Sequence, residues 1–317
     1  MKLSRLAALF IAGGVALLSP LSTHTAAAQG IVREAGKVDL RPKFKVGQET
    51  RFKMDMSSSG NQAPGGEGEG SAIKQTIGAT ILMKCQDTNP ETGSTLEVTY
   101  ETIKIKLSSA LMNIDFDSSK PANPDDPMDA AIRSIVGSKL SVKMDKDGNI
   151  TSVDGGGGGG LGDQFNSADL MKNMFGPLFT TKKGTGQVSV GEKWTNEDSM
   201  DAGAGTVRIT TTNTLKSMSG PIANIDIKGA FSVDPSSSGK FRISNSSMSG
   251  EAKWDTEVGM LESMSMRQRL TVEQKQDKQA PTRTTQDVDM KVSRVHGAQT
   301  PELHPLKKKP AIDTHDR

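Results

Sequence analysis

One cysteine, one tyrosine, two tryptophans and four histidines in 317 residues leave few of the side chains used for disulfides, stacking and imidazole chemistry. The lone Cys85 excludes an intramolecular disulfide, so the core must hold by burial. Position disfavours the histidines as catalysts. His24 lies in the N-terminal apolar segment, and His296, His304 and His315 lie in a C-terminal stretch without periodicity. An acid–base imidazole has to be held within a fraction of an ångström by packed neighbours. No G-x-S-x-G occurs, and the S-x-x-K matches at Ser71–Lys74 and Ser237–Lys240 lack their S-D-N and K-T-G companions.

A charge excess is missing as well. Of 39 basic residues two, Lys2 and Arg5, lie in the first 28, after which basic and acidic residues balance at 37 each. Neither nucleic acid nor an anionic membrane surface is an expected partner of such a chain. Lys307, Lys308 and Lys309 form the only basic run and read as a solvated end.

Residues 1–28 read as a secretory signal peptide: Lys2 and Arg5, an apolar run from Leu6 to Leu18, then Pro20 and Ala26-Ala27-Ala28. The run spans about 20 Å as a helix, short of the roughly 30 Å hydrocarbon core, so cleavage between Ala28 and Gln29 is expected rather than anchoring. The mature protein is therefore expected outside the cytoplasm, periplasmic or extracellular, with no transmembrane span after processing.

Period-two alternation of apolar and polar residues dominates residues 29–295 and predicts a mainly β fold. The expected architecture is a large antiparallel meander or half-barrel sheet with two mid-chain helices. Phe52, Met54 and Met56 share a face, as do Ile77, Ala79, Ile81, Met83 and Cys85. Leu96, Val98 and Tyr100 alternate in one phase and Ile103, Ile105 and Leu107 in the other, which places a β-bulge near Glu101. Asp147-Gly148 predicts a hairpin, and Asn89–Gly93 a longer turn.

Asp126 and Pro127 predict a capped helix with Met128, Ala131, Ile132, Ile135 and Val136 on its apolar face, stopped by Gly137. Ser167 predicts a second, carrying Leu170, Met171, Met174, Phe175 and Leu178. Ser57–Ser71, the run Gly155–Gly160 and the tail 296–317 read as mobile or disordered. Val46-Gly47-Gln48 and Val190-Gly191-Glu192 each open a block of strands. Two related halves, about 40–155 and 185–295, joined by a Gly-rich linker and helix, are one reading of this pattern.

Motifs for chemistry fail on spacing. Gly155, Gly157 and Gly160 satisfy G-x-G-x-x-G only because every residue there is glycine, and no helix start follows directly. Asp145–Asn149 has glycine fourth and Gly156 at the twelfth position, which suits a hairpin and not a calcium loop. Asp115, Asp117, Asp125 and Asp126 form an acidic stretch that could hold an exposed cation weakly. Glu97 with Glu101, and Glu251 with Glu257, are the carboxylate pairs a glycosidase-like hydrolase would use. Cys85 shares its phase with Met83 and Ile81 and reads as a buried thiol.

No catalytic residue, metal or cofactor is assigned, and a non-enzymatic protein is expected. Methionine is abundant, 16 residues in all. Met54, Met83, Met264, Met266 and Met290 fall on apolar strand faces, where flexible, polarizable side chains could take a lipid or another apolar ligand in a concave sheet, or fill the core of a structural or interaction component of the cell envelope.

The segments Phe44–Phe52, Tyr100-Glu101 with Asp115–Ser118, and Val190–Trp194 resemble a family of secreted bacterial proteins, a domain of unknown function, over most of residues 40 to 295. That resemblance implies no activity. Long strands with mid-chain helices are also similar in architecture to the half-barrel periplasmic lipoprotein carriers, whose curved sheet is closed by helices over an apolar cavity.

Overall fold

The computed structural model describes residues 36–63, 71–110, 113–123, 125–155, 186–201, 206–234, 241–276 and 279–296. In chain order these form β1 (Val38–Asp39), β2 (Glu49–Ala63), β3 (Ser71–Asn89), β4 (Gly93–Ser108), β5 (Asn113–Asp117), α1 (Pro127–Arg133), β6 (Lys139–Met144) and β7 (Ile150–Gly155). There follow β8 (Gln187–Val188), β9 (Lys193–Asp201), β10 (Thr206–Ser219), β11 (Ile222–Val233), β12 (Phe241–Asp255), β13 (Met260–Gln276) and β14 (Gln279–Val295).

One sheet of 12 strands carries the fold, in the order β7-β6-β4-β3-β2-β14-β13-β12-β11-β10-β9, with β5 added beside β4. Every neighbouring pair is antiparallel. The expected mainly β fold is therefore present, but it is not one meander. Strands β2 to β7 run outward from the centre and β9 to β14 run inward from the far edge, so that β14 closes on β2.

Period-two burial gives the sheet a buried inner face and an exposed outer one. On the outer face charges are matched across strands, as at Arg267–Asp289 (2.8 Å), Arg269–Asp287 (2.7 Å) and Lys104–Asp117 (3.0 Å). Asp115, from the acidic stretch, lies 3.7 Å from Lys106. These are lysine partners rather than a cation site. The bulge predicted near Glu101 is present, the register shifting between Thr80–Thr102 and Ile81–Tyr100. Both predicted turns join their strands, β3 to β4 and β6 to β7.

Three expectations need correction. Ser57–Ala63 is not loose chain but the second half of β2, and Ser71 opens β3; residues 64–70 lie outside the described residues. The reason is that ladder hydrogen bonds use the main chain, and β14 and β3 supply them on both sides whatever the side chains. Among the described residues there is one α-helix rather than two. The second predicted helix, Ser167–Leu178, the glycines 156–160, the signal segment with Ala28 and Gln29, and the tail 297–317 lie outside them.

Helix α1 itself is shorter than its apolar pattern. Asp126 caps it by accepting the Met128 N–H at 2.9 Å, but it ends at Arg133, and Val136 instead bridges in parallel to Tyr100. Ile132 and Ile135 still reach the core. Among the described residues no helix is long and apolar enough to cross a membrane.

Two turns repeat one another bond for bond. Gln48 N–H donates to Lys45 O (2.9 Å) and accepts the Lys45 N–H on its side chain (3.0 Å), while Gly47 N–H donates to Cys85 O (2.8 Å). At the other, Glu192 N–H donates to Ser189 O (2.9 Å), its carboxylate accepts the Ser189 N–H (2.9 Å), and Gly191 N–H donates to Leu215 O (2.7 Å). A bulge follows each anchor, between Cys85 and Asp87 and between Leu215 and Ser217. At the far ends Asp145 accepts the Asp147 and Asn149 N–H groups, and Asp255 accepts those of Glu257 and Val258.

The start of each strand block is also tied to the other. Strand β1 pairs with β8, setting Val38 against Val188, and Lys43 N–H donates to Gly259 O at 3.2 Å in the β12–β13 turn. Leu40 and Val188 are fully buried there, so this strap closes one end of the inner face with apolar side chains.

Candidate functional site: the inner face of the sheet

Residues directly opposite in an antiparallel ladder share a face, so the register arranges the inner face in rows across the strands. One row carries Met56, Met290 and Met266 abreast on β2, β14 and β13, continuing to Ile77 and Ile105 on β3 and β4. The next row towards the strap carries Met54, Val292 and Met264 on the same three strands. Of the five methionines singled out from the sequence, the structure thus brings Met54, Met264, Met266 and Met290 together at the centre. Met83 shares the face but sits opposite Val98, four residues along β3 from Ala79, which faces Met54. That is about 13 Å away along the strand.

On the other side of the Met56 row the apolar phase continues with polar residues. Gln75, Ser58, Val288 and Gln268 lie abreast on β3, β2, β14 and β13. Gln286, one row further on, donates to Ser58 Oγ at 3.0 Å. On β10 the Gln75 row reaches Thr211, and the Met56 row itself reaches a polar residue, Asn213. Gln75, Gln268, Thr211 and Asn213 are 5%, 3%, 1% and 5% exposed. Four of their polar atoms, Gln75 Oε1, Gln268 Nε2, Thr211 Oγ1 and Asn213 Nδ2, are buried without a hydrogen-bond partner. An orphaned polar group costs about 1–3 kcal/mol, so four on one face require an account. Sequence reasoning missed this belt, although its signal was there: Gln75 keeps the phase of Ile77 and Ala79, and Gln268 that of Met264 and Met266.

Beside the strap a cluster of charged residues enters the inner face, and at the β5 end the Arg133 guanidinium lies 5.3 Å from the centre of the Phe116 ring. Arg294 lies 2.7 Å from Asp255 and 2.6 Å from Glu262, and His296 lies 2.6 Å from the other Glu262 oxygen. Burial pushes the Asp255 carboxyl up, but the Arg294 guanidinium and the N–H groups of Val258 and Glu257 outweigh it and hold it below its ordinary range. The cluster pins the β12–β13 turn to the end of β14. His296, assigned from sequence to the tail, is thus held at the end of β14.

The candidate acid–base pairs are not brought together. Glu97 is bound by Lys139 at 2.8 Å. Glu101 accepts from Arg51 Nε on both oxygens at 3.0 Å. The two lie four residues apart on one strand, about 13 Å along it, beyond the 5 to 10 Å of glycosidase carboxylates. Glu251 lies in β12 and Glu257 in the turn beyond its end. Cys85 is buried, and its thiol is pushed up by that burial and by Asp87. Burial likewise raises the Tyr100 phenol above its ordinary range. Among the described residues no cluster of three or more His, Cys, Asp or Glu side chains could hold a metal ion.

Comparison with known proteins gives a family and little else. The chain matches a family of unknown function, DUF6263, over residues 91–158 and 159–280, and it belongs to that family. No curated protein matches it. Among solved structures, DynF from the dynemicin biosynthesis pathway of Micromonospora chersina is 6% identical, covering 87% of this chain and 94% of that one, with a TM-score of 0.20. An outer membrane channel from Pseudomonas putida F1 is 9% identical, covering 80% and 97%, also with a TM-score of 0.20. Neither likeness carries an argument about this chain.

Proposed function

We propose that this member of the family is an exported, non-enzymatic β-protein that holds an apolar ligand against the inner face of a half-barrel sheet. The observation that carries the reading is the central block of Met56, Met290 and Met266, abreast on three neighbouring strands, with Met54 and Met264 beside them. Methionine is unbranched and polarizable, and it suits a surface that must repack around a flexible chain. Export rests on the order of charged, apolar and small residues before Gln29. The repeated turns and bulges support two related halves, about 40–155 and 185–295, each contributing one limb of the sheet.

A second reading has its own support. The methionines are as buried as the aliphatic residues around them, which suits a filled core and a structural role in the cell envelope. Mass spectrometry of protein exported by its own signal separates the two. The carrier reading expects a lipid or other apolar molecule to co-purify, and the exported chain to begin at or beside Gln29. Clean protein that binds no apolar dye leaves the structural reading.

A further inference from the structure

The unpartnered polar atoms beside the methionine block define what the other end of a ligand must be. Resting on the carrier reading above, we propose that the ligand is a single-chain amphiphile with an uncharged, hydrogen-bonding head group. The chain lies on the row of Met56, Met290 and Met266, which reaches Asn213 on β10, and the head lies on the adjoining row of Gln75, Gln268 and Thr211.

Three observations fix this class. The orphaned atoms are a carbonyl oxygen, two amide nitrogens and a hydroxyl, so the belt offers both donors and acceptors and no charge. Flipping any of the amides exchanges a donor for an acceptor and leaves the belt neutral. No Lys, Arg, Asp or Glu lies on the Met56 row or on the Gln75 row from β4 to β10. A phosphate or carboxylate head brought there would lose its hydration without gaining a cation, and an ammonium head would find no carboxylate. Arg294, Asp255 and Glu262 are engaged with one another on the strap side of the methionines, and Arg133, over Phe116 at the β5 end, is engaged with Asp129. The two rows are also adjacent, so a glycerol or similar polyol ester can span the boundary between them.

The test uses the full-length exported protein and a neutral apolar dye, N-phenyl-1-naphthylamine, displaced by two probes with the same oleoyl chain: monooleoylglycerol and oleoyl lysophosphatidic acid. The proposal expects the glycerol probe to displace the dye at a concentration about tenfold or more below the phosphate probe, one hydrogen-bonded group's worth of discrimination. Gln75→Leu with Gln268→Leu should reduce that preference to about twofold or less. Thr211→Val keeps the side chain's shape and should weaken the same preference even if the double variant does not fold. Equal displacement by the two probes, or better displacement by the phosphate, overturns the proposal and leaves the carrier reading standing. Binding of neither dye nor probe overturns both. A preference that survives in folded Leu and Val variants also overturns it, because the belt then holds only water.

Discussion

Gln286 Nε2 donates to Ser58 Oγ at 3.0 Å inside the sheet, joining two residues 228 positions apart. Ser58 lies in the first long strand and Gln286 in the last, so the bond marks the seam where β14 closes on β2. Replacing Gln286 by Leu strands the Ser58 hydroxyl in a buried position and should cost about 1–3 kcal/mol. Adding Ser58→Ala removes the orphan, so the double variant should be less destabilised than the two single losses added together. Denaturant unfolding of the four proteins measures this, and strict additivity would mean that the bond contributes nothing.

The methionines report separately on whether the inner face is filled. A methionine locked in a close-packed core loses about 2–5 kcal/mol on change to Ala. Met83, between Val98 and the start of β2, is expected in that range. Met266 and Met290 are expected to lose less than half as much as Met83, because a ligand surface relaxes where a core cannot. Equal large losses at all three positions would contradict the carrier reading.

The two repeated turns should fail alike. Gly47 and Gly191 have φ of 79° and 87°, and neither has an atom within 4 Å of where a Cβ would sit. Only backbone strain then opposes Ala, about 1–2 kcal/mol at each, and equal costs are expected if the turns are copies of one unit. Gly259 is the control. Its φ is 63°, but a Cβ there would stand 2.4 Å from the Lys43 nitrogen, so Gly259→Ala should cost clearly more by breaking the strap. Thermal or denaturant unfolding compares the three.

Much of this fold is legible in the sequence wherever a pattern is local. The alternation of Ile77 to Cys85, the phase slip at Glu101, the Asp147-Gly148 turn and the Asp126 cap each depend on a few neighbouring residues, and each has its structural counterpart. What depends on distant partners is not legible. Ser57–Ala63 has the composition of a linker and is a strand because β3 and β14 flank it. The closing of β14 on β2 leaves no local mark. The methionine block was half visible: the shared phase was clear, but register alone places Met56, Met290 and Met266 abreast and sets Met83 apart. The polar belt leaves a fainter mark, since Gln75 and Gln268 are of surface type by composition and only their phase places them inside.

Acid should weaken the protein through Asp117. The hydroxyl and N–H of Ser119 donate to its carboxylate at 2.6 and 2.9 Å, and Lys104 lies 3.0 Å away. These bonds, Ser119 first, hold its pKa at about 2 against an ordinary 3.8, although partial burial opposes them. A depressed folded pKa means that the stabilisation is complete above the ordinary value and is lost as pH falls from about 4 to about 2. Asp117→Asn should therefore be less stable than the parent at neutral pH and show a flatter stability profile across that window. An unchanged profile would show that Asp117 is not held as described.

Arg294 should show the opposite dependence when it is removed. It is the shared cation of Asp255 and Glu262 and is mostly buried. Arg294→Leu leaves two carboxylates facing each other in the wall of the inner face, a loss of about 3–5 kcal/mol at neutral pH. Burial, the largest influence on Asp255 in the parent and there opposed by Arg294, is opposed in the variant only by the Glu257 and Val258 N–H groups, and with the Glu262 carboxylate now facing it the Asp255 pKa is expected to rise above its unfolded value. A raised folded pKa favours the folded state at low pH and loses that advantage as pH rises. The variant should accordingly gain stability as pH falls from about 7 towards 4, while the parent begins to lose the Arg294–Asp255 pair below about 4. The gap between them should narrow with acid, and a gap that stays constant from pH 7 to 4 would show that the arginine acts by packing its side chain rather than by its charge.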